Sequence, residues 1–315
     1  MTFKVLVSDK LDKKGVAILE KAEGIAVDVK VGLKPAEQQA IIGDYEGLIV
    51  RSATKVDPAL LDKAQKLKLV IRAGIGVDNI DIQACTQRGV LVENTPKGNV
   101  VSAAEHAISL MMSLARHVPE ASVTTKRGVW EKSKFMGTEI SGKVLGVIGT
   151  GNIGAVVVDR AQGLRMHVIA YDPVLSAEKA ASMGVEKVDF DTLLGRADVI
   201  TMHTPLLPST QNMLNDAAFA KMKKGVLLIN AARGGLIDEA ALLRAIEGGI
   251  VRGAALDVFA TEPVPADHPL LTREEIIATP HLGASTHEAQ INVAVEAAEQ
   301  MIAFARDKTR IHALN

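Results

Sequence analysis

Short apolar runs separated by amphipathic stretches recur along the whole chain. Phe3 to Val7, Ile25 to Val31, Gly47 to Val50, Leu69 to Ile71 and Val90 to Val92 predict strands, and Lys13 to Ala22, Pro35 to Ile42 and Ile80 to Arg88 predict the helices between them. Asp57-Pro58 reads as an N-cap followed by proline at the first helical position. A loop-rich break, Asn94 to Asn99, ends this series. Ser102 to Arg116 is helical and apolar over much of its circumference, which predicts a buried helix or one at a subunit interface. Gly128 to Phe135 is irregular and carries the only tryptophan, Trp130, readable as an interface anchor or as core. A second series follows, with strands at Val144 to Ile148, Val168 to Tyr171, Val199 to His203, Val226 to Asn230 and Gly253 to Val258, and a helix capped by Asp238. The last run, Glu288 to Arg306, is a helix long enough to cross back to the first series. Strands alternating with helices predict an α/β protein of parallel, doubly wound sheets, in which ligands bind beyond the carboxyl ends of the strands.

The stretch from Val144 to Pro173 adds chemistry to this pattern. After its first strand, Gly149, Gly151 and Gly154 fall in the G-x-G-x-x-G spacing. Gly149 permits the tight turn, Gly151 lets a pyrophosphate approach the backbone, and Gly154 lets the following helix pack on the sheet. The helix start adds free N–H groups and partial positive charge. Glycine-rich turns are common, but this one follows a strand, opens a helix, and is followed by an acid, Asp172, ending the next strand. That context predicts a dinucleotide site. Asp172 suits a ribose hydroxyl pair and opposes a 2′-phosphate, so NAD is expected rather than NADP.

Composition narrows the class. A chain of 315 residues with 48% hydrophobic residues holds about two domains. A net charge of −1 argues against a general nucleic-acid binder. The single cysteine, Cys85, reads as a packed side chain and suits a reducing compartment. No apolar run reaches membrane-spanning length and the N-terminus lacks a signal-peptide pattern, so a cytoplasmic protein without membrane contact is expected, and no metal.

Candidate side chains cluster at strand ends. Arg51 and Arg72 follow successive strands, the second beside Gly74 and Gly76, and make an anion site. Arg233, between small residues and glycines, suits a bidentate grip on a carboxylate. His281, between Pro280 and a glycine turn, is a candidate proton acceptor, and Glu262 a candidate for its other ring nitrogen. Each also has an ordinary reading as a solvated or structural residue, and the other seven histidines are read as structural.

The tracts Ala231-Ala-Arg233-Gly-Gly, Ala254-Ala-Leu-Asp257-Val-Phe, Thr261-Glu262-Pro263 and Pro280-His281-Leu-Gly283-Ala284 resemble the signature of D-isomer-specific 2-hydroxyacid dehydrogenases, and the likeness covers nearly the whole chain. The resemblance implies a Rossmann-type cofactor domain, residues 98–285, inserted in a flavodoxin-like substrate domain made of 1–97 and 286–315. It implies a catalytic set of Arg233, Glu262 and His281. It implies NAD contacts at Ile75, Asn152, Ile153, Asp172, Thr204, Ala231, Asp257 (on the nicotinamide carboxamide), and His281 through Gly283 and Ala284. Arg51, Ser52, Arg72 and Gly74 would line the substrate site. Further tracts are similar to a branch of the family: Val50-Arg-Ser-Ala-Thr-Lys-Val, Arg72-Ala-Gly-Ile-Gly-Val-Asp-Asn, Trp130-Glu-Lys and His203-Thr-Pro-Leu-Leu-Pro-Ser-Thr. That branch oxidises 3-phosphoglycerate to 3-phosphohydroxypyruvate at the head of serine synthesis, and the two N-terminal arginines would meet the substrate's phosphate or carboxylate. The resemblance also implies a homodimer or homotetramer through the region from Ser102 to Trp130, with Lys132 and Lys134 near the dimer contact. Ile75 and Ala231 depart from the family's more usual threonine and cysteine, with little effect expected. The chain stops soon after its last helix, as a short-form enzyme or a catalytic fragment would, and serine feedback through a further C-terminal domain is not expected of the chain as given. Two rivals stand: a glyoxylate or hydroxypyruvate reductase of the same family, and an NAD-sensing module resembling the C-terminal binding protein corepressors.

Overall fold

The computed structural model describes residues 2–315, as two compact units. One comprises the chain up to Val100 together with Ala284–Asn315; the other is Val101–Gly283.

In chain order the first unit contributes β1 (Phe3–Val7), α1 (Lys13–Lys21), β2 (Ile25–Val29), α2 (Pro35–Ile41), β3 (Gly47–Val50), α3 (Pro58–Leu61), β4 (Leu69–Arg72), α4 (Ile82–Gln87) and β5 (Leu91–Asn94). The second contributes α5 (Val100–Arg116), α6 (Val118–Lys126), β6 (Val144–Ile148), α7 (Asn152–Gly163), β7 (His167–Tyr171), α8 (Ala177–Ser182), β8 (Glu186–Lys187), α9 (Phe190–Arg196), β9 (Val199–Met202), α10 (Asp216–Phe219), β10 (Val226–Asn230), α11 (Glu239–Glu247), β11 (Val251–Leu256) and β12 (Ile276–Ala278). Helix α12 (His287–Asp307) returns to the first unit.

Both sheets are parallel between named strands. The first runs β2-β1-β3-β4-β5, the flavodoxin-like order, and the second β12-β11-β10-β9-β6-β7-β8, the Rossmann order extended by one strand. Parallel sheets need both faces covered. In the first unit Leu19 of α1 and Val293, Ala297 and Met301 of α12 pack with Val5, Val7 and Ile71, while Leu60, Leu61 and Cys85 pack with Leu6, Leu48 and Val70. In the second, Leu110, Met111, Val157 and Ala161 cover one face, and Leu193, Phe219 and Leu242 the other.

Several element ends differ from the sequence pattern for physical reasons. β2 stops at Val29, because the chain turns at Gly32 with φ 81°. β5 extends through the polar pair Glu93 and Asn94, which register against Ile71 and Arg72. The polar two-residue β8 has no periodic signal, yet it pairs with β7. Trp130 is 83% exposed, which removes its core reading. Among the described residues no helix is long and apolar enough to cross a membrane.

Candidate active site

The glycine turn joins β6 to α7. Gly149 has φ 91°, and a Cβ on Gly154 would lie 2.1 Å from the Gly149 carbonyl oxygen, so helix and turn meet at a distance only glycine allows. Gly151 caps α7 without a side-chain bond, and a Cβ there would meet nothing within 4 Å. The start of α7 therefore offers amide donors beneath open room, which fits a pyrophosphate. Asn152 and Ile153 begin the helix, Ile153 packed partly into the core.

Asp172, just past β7, closes the turn. Its Oδ2 accepts the Thr150 N–H at 2.7 Å and the Thr150 hydroxyl at 2.9 Å, and its Oδ1 accepts the Val174 N–H at 3.0 Å. Burial raises the Asp172 carboxyl, but these hydrogen bonds outweigh it and hold the group below its ordinary value, so it is charged at neutral pH. Beneath the turn, Thr201 Oγ1 lies 2.9 Å from His203 Nε2, and burial pushes that imidazole down to about 4, keeping it neutral. Thr204 follows on the same loop, and Ala231 sits just past β10.

A second assembly forms where β11 and β12 end. Asp257 is wholly buried. Its carboxylate accepts the Thr279 hydroxyl at 2.6 Å and the N–H groups of Leu282 and Gly283 at 2.7 and 2.9 Å, and His106 Nε2 of α5 lies 3.1 Å away. Burial raises this carboxyl too, and the bonds from His106, Thr279 and Leu282 more than reverse it. The loop so gripped carries His281, whose backbone is left-handed (φ 56°) and whose N–H donates to Asp257 O at 2.9 Å. A non-glycine residue keeps that conformation only where its surroundings hold it. His281 Nδ1 lies 2.7 Å from Glu262 Oε2, and Glu262 Oε1 accepts the Phe259 N–H at 3.1 Å. With Nδ1 engaged and the ring 51% exposed, Nε2 is the nitrogen left for a substrate.

Arg233 lies on the neighbouring loop after β10. Buried Asn230 accepts the Ala232 N–H and donates to Arg233 O, fixing the turn, and Arg233 Nη1 donates to Ala232 O at 2.6 Å. A Cβ on Gly234 would lie 1.8 Å from Phe259 O, so the Arg233 turn packs directly on the turn that carries Glu262.

The remaining candidates lie in the first unit. Val50 registers with Arg72, so Arg51-Ser52 and Arg72 leave neighbouring strands side by side. A Cβ on Gly74 would meet Arg72 Nη1 at 1.9 Å; the missing side chain gives the guanidinium its room. Ile75 O accepts Asn94 Nδ2, and Ala284 O accepts Gln290 Nε2. Sequence reasoning missed Thr150, His106 and Thr279, which act through hydrogen bonds to distant partners and show no local pattern, and Asn230, whose bonds stay within its own turn.

A parallel sheet of this order with a glycine turn after β6 and an acid after β7 defines a dinucleotide-binding domain. Residues 108–283 match the model of the D-isomer specific 2-hydroxyacid dehydrogenase, NAD binding domain, and the chain belongs to that family, whose cofactor is NAD. The chain is 47% identical to D-3-phosphoglycerate dehydrogenase of Archaeoglobus fulgidus over 99% of its length and 59% of that protein. It is 49% identical to D-3-phosphoglycerate dehydrogenase of Homo sapiens, over 99% of this chain and 58% of that one. It thus spans under two thirds of these relatives. The crystal structure of the TT0316 protein from Thermus thermophilus superposes with a TM-score of 0.91 at 31% identity, covering 99% of this chain and 100% of that one.

Proposed function

We propose that the chain oxidises 3-phosphoglycerate to 3-phosphohydroxypyruvate with NAD, the opening reaction of serine synthesis by the phosphorylated route. The observation that carries this reading is the His281–Glu262 pair at 2.7 Å, on a loop held by Asp257 next to the turns of Arg233 and Ala231. The relatives named D-3-phosphoglycerate dehydrogenase support the choice of substrate.

The room above Gly151, the uncapped start of α7 and the charged Asp172 fit NAD, with Asn152, Ile153, Thr204, Ala231, Asp257, Gly283, Ala284 and Ile75 as its further contacts. NAD, when bound, supplies the two-electron acceptor for C2 of the substrate. Arg233 grips the carboxylate and polarises the developing carbonyl. His281 Nε2 takes the proton of the C2 hydroxyl, and Glu262 on Nδ1 fixes the ring and stabilises the imidazolium. Arg51, Ser52, Arg72 and Gly74 provide for the substrate's anionic groups. Buried Cys85 suits the reducing cytoplasm. The exposed apolar side chains of Val118, Val123, Trp130 and Met136 support a dimer through this face, which light scattering would test.

The direct test is NADH formation from NAD⁺ with 3-phosphoglycerate, D-glycerate, D-lactate and 2-hydroxyglutarate, at alkaline pH with hydrazine to trap the keto product. Strong preference for 3-phosphoglycerate is expected. Activity confined to unphosphorylated acids would move the protein to the glyoxylate and hydroxypyruvate branch. NADH binding without turnover would favour a sensing role.

A further inference from the structure

The loop after β3 is held from beneath by side chains that no local motif announces. Asp9, just past β1, is 6% exposed. Its carboxylate accepts the Arg51 N–H at 2.6 Å, the Thr54 N–H at 3.1 Å and the Thr54 hydroxyl at 2.7 Å. Ser8 Oγ lies 2.9 Å from Thr54 Oγ1, and Gln38 Nε2 donates to the same oxygen at 3.1 Å. From the other side, Asn79 Nδ2 donates to Arg51 O at 2.7 Å and to Thr54 O at 2.6 Å. The backbone at both ends of the loop is fixed, while Ser52 and Ala53 between them stay exposed.

The side chain this loop presents is under-used by the protein. Arg51 is half-buried, its Nε is buried without a hydrogen-bond partner among the described residues, and its Nη1 makes only a marginal 3.5 Å contact with Lys10 O. A guanidinium has five donors in a rigid fork. Leaving them unmet in a partly desolvated place is costly unless an anion takes them. Burial lowers the Arg51 pKa, and the charge of Asp9 works against that fall.

We propose that Asp9 is a positioning residue for the anionic end of the substrate: it locks the Arg51–Thr54 loop without itself touching the ligand. The proposal rests on the reading of Arg51 as a substrate ligand. A donor group held in its bound geometry loses less freedom on binding, so the lock acts on affinity rather than on turnover.

The test measures steady-state kinetics of the full chain bearing Asp9→Ala, Asp9→Asn, Asn79→Ala or Arg51→Gln, with inorganic phosphate as a competing anion. Asp9→Ala is expected to raise the KM for 3-phosphoglycerate and the inhibition constant of phosphate by roughly ten-fold. The kcat should fall far less, and the KM for NAD should hold. Asp9→Asn keeps an oxygen for the two amides and loses the charge, so it should rescue most of the affinity. Asn79→Ala strikes the same loop from the other side and should reproduce the KM effect; it also serves if Asp9→Ala does not fold. A folded Asp9→Ala protein with a lower melting temperature and an unchanged KM for 3-phosphoglycerate would overturn the proposal. So would equal rises in KM for 3-phosphoglycerate and D-glycerate. If Arg51→Gln raises the KM and the Asp9 and Asn79 variants do not, the positioning role alone fails. If Arg51→Gln leaves it unchanged, the reading of Arg51 is wrong and the role falls with it.

Discussion

Two loops, one in each unit, leave the carboxyl end of a parallel strand and are gripped by an aspartate from the strand beside it. In the second unit Asp172 holds the N–H and hydroxyl of Thr150. In the first, Asp9 holds the N–H and hydroxyl of Thr54. What the loops present is opposite in kind. The Gly149–Gly154 turn offers backbone amides and needs absent side chains, since a Cβ at Gly154 would run into the Gly149 carbonyl. The Arg51–Thr54 loop offers a guanidinium and needs hydrogen bonds accepted by Asp9 and donated by Asn79. A backbone site is specified by its own spacing; a side-chain site is specified by residues elsewhere in the chain. Asp257 extends the comparison to a third loop, where it holds the hydroxyl of Thr279 and the amides of Leu282 and Gly283, which follow His281.

Perturbing each loop in turn sharpens the contrast. The largest effect is expected from His281→Ala, which should lower turnover by roughly two to four decades while leaving both other loops able to bind their ligands. Initial rates beside an NADH fluorescence titration check this; near-normal turnover would remove His281 from the reaction. Next comes Arg51→Gln, which should raise the KM for 3-phosphoglycerate by roughly ten- to a hundred-fold with NAD affinity intact. Gly154→Ala should do the converse. Overpacking against the Gly149 carbonyl costs about 2 kcal/mol, which should appear as weaker NADH binding and a lower melting temperature, with phosphate affinity unmoved.

The smallest effect tests a buried acid that holds no such loop. Glu93 is fully buried; its Oε1 takes the Ile311 N–H, and its Oε2 has no partner among the described residues. Burial pushes it up to about 7, against bonds that lower Asp172 and Asp257. A folded-state pKa above the unfolded one gives stability that is full below the ordinary glutamate value and lost as pH rises through about 7. Glu93→Gln should therefore stabilise the protein by about 2 kcal/mol at mildly alkaline pH and lose that advantage as pH falls toward the ordinary glutamate value. Melting curves across that range check the sign, and a pH-independent difference would contradict it.

What was legible in the sequence follows the same division. The glycine turn and Asp172 could be read because tight turns demand glycine at fixed spacing, and both sheets could be read from alternating apolar runs. The candidates at strand ends, Arg51, Arg72, Arg233 and His281, could be read because parallel sheets put loops there. The partners that hold those loops could not. Asp9 and Asn79 look like turn residues, and their contacts span 42 and 28 residues to Arg51. His106 reads as one more polar group on an apolar helix, and only the fold brings it to Asp257. The polar β8 and the exposure of Trp130 were equally invisible, because edge pairing and surface position leave no period in the sequence.

The central claim is that the substrate carries two anionic groups and that the first unit's arginine loop reads one of them. The ratio of kcat/KM for 3-phosphoglycerate over D-glycerate, in the unmodified chain and in Arg51→Gln, tests it most directly. The account predicts a ratio of about a hundred or more that collapses in the variant. A ratio near unity in the unmodified chain, or one that survives the loss of Arg51, would contradict it.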